Sequence, residues 1–176
     1  MRNLWDKKFE AAKDAITPED IVSAQCRYLE DMTHGSIIAR VSSYYGDIPS
    51  FYNESGSRDT AMKLKLLYTE IHAEKQDGLR GAPDDGFTFE FFITSVSTPN
   101  YKYRVFFIRY GIPFYPVSII LDEAIASELG FEQSFNCDSQ EIFESILSQI
   151  LGSKKVESVI SALLAIAVKS GDHPGF

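Results

Sequence analysis

Asp84, Asp85 and Glu90 come nearest in this chain to a group of residues that could do chemistry. Three carboxylates converging beside a strand can hold Mg²⁺, and a bound Mg²⁺ can polarise a phosphoester. The next base after Glu90 is Lys102, so no lysine stands close in sequence to complete such a site. Ordinary surface acids are the plainer reading. The preceding loop, Gly78 to Gly86, is glycine-rich and carries Arg80. Phosphate loops of known mechanism follow a strand and open onto a helix. This one follows a predicted helix and opens onto a predicted strand, which marks it as surface loop.

The remaining reactive types are scattered. Of His34, His72 and His173, only His72 has an acid within two residues on each side, Glu70 and Glu74. That pattern on an exposed helix ordinarily means a solvated face rather than a metal site. No HExxH motif or GxSxG elbow is present, and neither Cys26 nor Cys137 has a histidine beside it. Cys137 precedes a predicted helix start, which lowers a thiol pKa, but the carboxylates around it oppose that effect. The two cysteines form no CxxC pair and favour reduced thiols in a cytosolic protein. No cofactor or resident metal is expected.

A denser pattern lies further on. Tyr101, Tyr103, Phe106, Tyr110 and Tyr115 are interleaved with Lys102, Arg104 and Arg109, with no acid between Phe91 and Leu121. Cations among aromatics can form a stacking platform for single-stranded nucleic acid. Aromatics also favour strands and fill cores. A net charge of −8 disfavours nucleic acid and anionic lipid as partners.

The next segment has the opposite sign. From Asp122 to Leu151 there are seven acids and no lysine or arginine. Most charge runs are solvated faces, but ordinary surface helices commonly add i, i+4 salt bridges, and this stretch cannot. A basic partner would supply the missing charge. Glu128, Glu132, Asp138, Glu141 and Glu144 are therefore the candidate partner-binding residues.

The elements that must position these groups follow from periodicity and punctuation. A chain of 176 residues, 44% apolar and 24% charged, fits one globular domain. Helices are expected over 4–33, restarted by Thr17 and Pro18 and ended by Gly35, and over 58–76. The first of these shows no apolar signal-peptide core, and no run is long enough to span a bilayer. Ile21, Tyr28 and Met32 are expected on one face. Ile37 to Val41 is a short strand candidate. Alternation of Phe87, Phe89, Phe91 and Ile93 with Thr88, Glu90 and Thr94 predicts a strand over 87–96 with one buried face. A turn over 97–100 leads to a central strand over 101–110, then to an edge-type strand over 114–121 that contains Pro116. The remainder, 122–169, is expected to be helical, with starts at Asp122, Asp138 and Ser153 and stops at Gly130 and Gly152. The middle helix should bury Ile142, Phe143, Ile146, Leu147 and Ile150. The last, Lys154 to Lys169, is apolar enough to lie in the core or to form a homodimer.

The fold expected is a single α+β domain over residues 1–176, a small antiparallel meander of three to four strands within 87–121 covered by helices from both ends. The function expected is that of an acidic, cytoplasmic protein-binding module. An immunity or antitoxin-type inhibitor of a basic toxin domain, of the bacterial kind, is its concrete form, and an export chaperone is a close variant. The alternatives are an Mg²⁺-dependent phosphoester enzyme at Asp84, Asp85 and Glu90, and a small-ligand sensor with its pocket on the aromatic sheet.

Overall fold

Thr17 opens the first described element of the computed structural model, which describes residues 15–45 and 86–170. Its hydroxyl accepts from the Asp20 amide at 3.1 Å, and the Asp20 carboxylate accepts from the Thr17 amide at 2.9 Å. This reciprocal cap, with Pro18 at the first turn, starts helix α1 (Pro18–Met32). The helix buries Pro18, Ile21, Val22 and Cys26, whereas Tyr28 and Met32 are 60% and 78% exposed. The buried stripe thus centres on Val22 and Cys26, about a third of a turn away from the face expected through Ile21, Tyr28 and Met32. His34 and Gly35 follow with φ of 50° and 75° and turn the chain into the sheet.

Among the described residues the sheet has five antiparallel strands in sequence order: β1 (Ile37–Ser43), β2 (Phe87–Ser95), β3 (Thr98–Tyr110), β4 (Val117–Leu121) and β5 (Ser134–Cys137). The meander and the central place of β3 match the sequence pattern, but three to four strands is an undercount. β5 interrupts the stretch 122–169 that was expected to be wholly helical. With four residues and only Phe135 and Cys137 turned inward, it carries too little alternation to stand out. Two boundaries also move. The β2–β3 turn is Val96–Ser97 alone, secured by the Ser95 and Thr98 hydroxyls at 2.7 Å. β4 begins only after Pro116, which has no N–H to give to a ladder.

Phe89, Phe91 and Ile93 lie on the buried face, as their alternation predicts, with Phe106, Ile108, Ile119 and Leu121 from the neighbouring strands. Phe91 stacks on Phe106 at 4.8 Å between ring centroids. Among the described residues three further helices come after β4: α2 (Glu123–Leu129), which lies between β4 and β5, and then α3 (Gln140–Leu151) and α4 (Lys154–Lys169). Asp122 caps α2, accepting from the Ala124 and Ile125 amides, and Gly130 ends it in the left-handed conformation. α4 packs across β1, β2 and β3, with α2 and α3 against it, while α1 packs on β1. The helices expected over 58–76 and over the first part of 4–33 lie outside the described residues, as do Asp84 and Asp85.

α4 buries Val156, Val159, Leu163 and Ala167, while Ala162, Ala165, Ile166 and Val168 are exposed. Burying each of its larger side chains contributes roughly 1.5–3 kcal/mol. Leu163→Asp should therefore cost about 3 kcal/mol or more in denaturant unfolding, because an unpaired carboxylate would enter the core. Ala162→Asp, one residue away on the outward face, should leave the unfolding midpoint nearly unchanged.

Candidate functional site

The side of the sheet turned away from the helices is organised by one extra residue. Phe91 pairs with Phe106, but Phe92 pairs with Arg104, so Val105 is a β-bulge. Side chains alternate along a strand, and the inserted residue therefore brings Arg104 onto the face that carries Glu90. There Arg104 Nε donates to Glu90 Oε2 at 2.8 Å, and Lys102 Nζ donates to Oε1. Lys102 also lies 4.1 Å from the Phe92 ring centroid, and the Arg104 guanidinium lies 4.9 Å from that of Phe107.

Glu90 was expected among the exposed polar positions of β2, yet it is only 6% exposed. Burial pushes its carboxyl upward, but the hydrogen bonds and charges of Lys102 and Arg104 outweigh that and hold it below the ordinary value. The base missing from its sequence neighbourhood is supplied across the strand pair. A carboxylate neutralised by two cations is a weak Mg²⁺ ligand. Among the described residues, no group of three or more His, Cys, Asp or Glu side chains is placed to hold a metal ion.

The aromatic block is likewise divided between two faces. Phe106 and Tyr110 are buried in the core under the helices. Lys102 and Arg104 lie on the opposite face with Glu90. Phe106 and Tyr110 are thus separated from Lys102 and Arg104, which lie instead over Phe92, Tyr44 and Phe107. The buried aromatics also fill each other's contacts, with Phe89 5.8 Å and Phe114 5.9 Å from Tyr110.

Of the acids expected to meet a partner, Glu128 has a structural task. Its Oε1 accepts from the Lys154 amide at 2.7 Å and its Oε2 from the Lys155 amide at 3.1 Å. It thereby caps α4 from another helix, beside Ser153, whose hydroxyl accepts from the Val156 amide. Glu132 and Asp138 flank β5 and are exposed. Asp138 is not the cap of α3. That role falls to Ser139, whose Oγ accepts from the Ile142 amide at 3.3 Å.

Glu141 and Glu144 lie exposed on α3, and Glu144 accepts from Gln140 Nε2 at 2.7 Å. The buried face of α3 is Phe143, Leu147 and Ile150, and Ile142, expected inside, is 46% exposed. The field of the carboxylates reaches a neighbour: burial, then Glu144 and Glu141, push the Tyr115 phenol above its usual value. Among the described residues, Glu132, Asp138, Glu141 and Glu144 form no ion pair with a lysine or arginine.

Cys26 and Cys137 are free and buried. Burial pushes each thiol up to about 11, so neither is a nucleophile near neutral pH. No helix of the described residues is long and apolar enough to cross a membrane. Compared with protein-family models, curated proteins and solved structures, the chain has no significant match.

Two outcomes follow from these roles. Glu128→Ala should lower stability by about 1 kcal/mol in chemical denaturation, as the loss of a helix cap does, with slower-exchanging α4 amides becoming faster. Glu90 has a depressed folded-state pKa, so its stabilisation is present above its unfolded value and lost as pH falls through the folded one. Wild type should therefore lose more stability between about pH 5 and pH 3 than Glu90→Gln does. Parallel slopes in pH-dependent unfolding would contradict the role given to the Lys102–Glu90–Arg104 group.

Proposed function

We propose that this chain is a protein-binding module that docks a basic partner on the acidic surface of β5 and α3. Its most concrete form is an immunity or antitoxin-type inhibitor of a basic toxin domain. An export chaperone for a basic cargo would use the same surface. The observation that carries the reading is the exposure of Glu132, Asp138, Glu141 and Glu144 without a cation among the described residues. Like charges on one helix face repel, and a basic partner converts that cost into attraction and a faster encounter. The two buried, unoxidised cysteines suit a reducing cytoplasm. A phosphoester enzyme has less support, because Glu90 is already engaged by Lys102 and Arg104.

The test is charge reversal at Glu141 and Glu144, which lie away from the buried Phe143, Leu147 and Ile150 stripe. Interferometry against the basic products of the flanking genes should show association slowed about tenfold or more in the Glu141→Lys, Glu144→Lys double variant. Wild-type affinity should fall as salt rises, and the melting temperatures of the two proteins should agree within a few degrees. An undiminished on-rate with no salt dependence would leave the acidic run as solvated surface.

A further inference from the structure

The two edges of the sheet differ in how their outward backbone groups are used. In β1 the bonds from Tyr44 N to Thr88 O and from Val96 N to Ser36 O fix the alternation, so Ile37, Ala39 and Val41 point their amides and carbonyls away from β2. Side chains occupy several of these groups. The Thr33 hydroxyl accepts from the Ile37 amide at 3.2 Å, and Arg40 Nη1 donates to the Ala39 carbonyl at 2.8 Å. The first half of this edge is thus closed in the way sheets avoid unwanted pairing.

Among the described residues, β5 forms the other edge. Leu121 N donates to Gln133 O at 2.8 Å, and the register pairs Ile119 with Phe135 and Val117 with Cys137. By alternation, Ser134 and Asn136 point their backbone groups outward. Both residues are exposed, and among the described residues no side chain caps those groups. The Asn136 side chain is turned to Ser118, 2.8 Å away across the strand pair. Glu132 and Asp138 stand at the two ends of this open edge, both exposed.

We propose that the free edge of β5 receives an extended segment of the partner as an added strand, with lysine or arginine near both ends of that segment. The proposal rests on the acidic-surface reading above and adds the mode of contact. Edge pairing gives affinity through main-chain hydrogen bonds, and the flanking carboxylates select the charge of the incoming strand. A second copy of this chain is a poor occupant. The antiparallel register that pairs Ser134 with Asn136 of a second copy also sets Glu132 opposite Asp138 twice, and like charges directly opposite are destabilising.

The experiment uses the peptide acetyl-Lys-Thr-Val-Thr-Val-Lys-amide and the same peptide N-methylated at its internal amides. With the first peptide at saturation, amide exchange of Ser134 and Asn136 should slow at least about tenfold, and N-methylation should weaken binding by about tenfold or more. Asn136→Pro, which removes an outward donor without touching the β4 ladder, should weaken the unmethylated peptide in the same way. Equal binding of both peptides, with unchanged exchange at Ser134 and Asn136, overturns the added strand while leaving the acidic surface as a binding face. No binding of either peptide at millimolar concentration overturns both.

Discussion

One residue in excess, Val105, sets the terms for the rest of the sheet. Without it the alternation of β3 would turn both Lys102 and Arg104 toward the apolar helix layer, and Glu90 would be buried without either cation. With it, the helix side of β2 and β3 becomes almost wholly apolar, and the opposite side can bury a satisfied carboxylate. The carbonyl of Val105 accepts from the Asp122 amide at 2.9 Å. The same irregularity that sorts the two faces therefore also anchors the point where the chain leaves the sheet and begins α2.

Local signals in the sequence were legible because their causes are local. The Thr17–Asp20 cap, the Asp122 cap and the left-handed Gly130 each need residues within a turn of one another. The buried Phe89, Phe91 and Ile93 follow from period two, and the central place of β3 from its two apolar faces. What stayed hidden depends on partners far along the chain. Nothing near Glu90 announces that Lys102 and Arg104 will meet it, because that meeting depends on the bulge. The buried face of α1 shifted from Tyr28 and Met32 to Val22 and Cys26, since what a helix buries is decided by the strand it meets.

The acidic surface was legible in part. The lack of bases between Asp122 and Leu151 is a property of the sequence and survives folding unchanged. How each acid is used is a property of the fold. Glu128 is taken by a cap that joins residues 26 apart, which no local spacing reveals. Ser139 displaces Asp138 from the cap of α3 and leaves that carboxylate in solvent. β5 was missed because a strand of four residues gains its identity from β4, and its open edge could only be recognised once the order of the strands was known.

The two hydrogen bonds from Glu128 to the start of α4 close a ring. β5 and α3 lie within the loop of chain between those two points, so neither can swing away from the core without parting that clasp or unfolding α2. Elements joined in this way open together as one cooperative unit rather than fraying separately. A surface held so pays little ordering entropy when it is occupied, because its strand and helix are already fixed relative to each other. For the partner binding proposed above, Glu128 would act by preorganising the acids that remain in solvent.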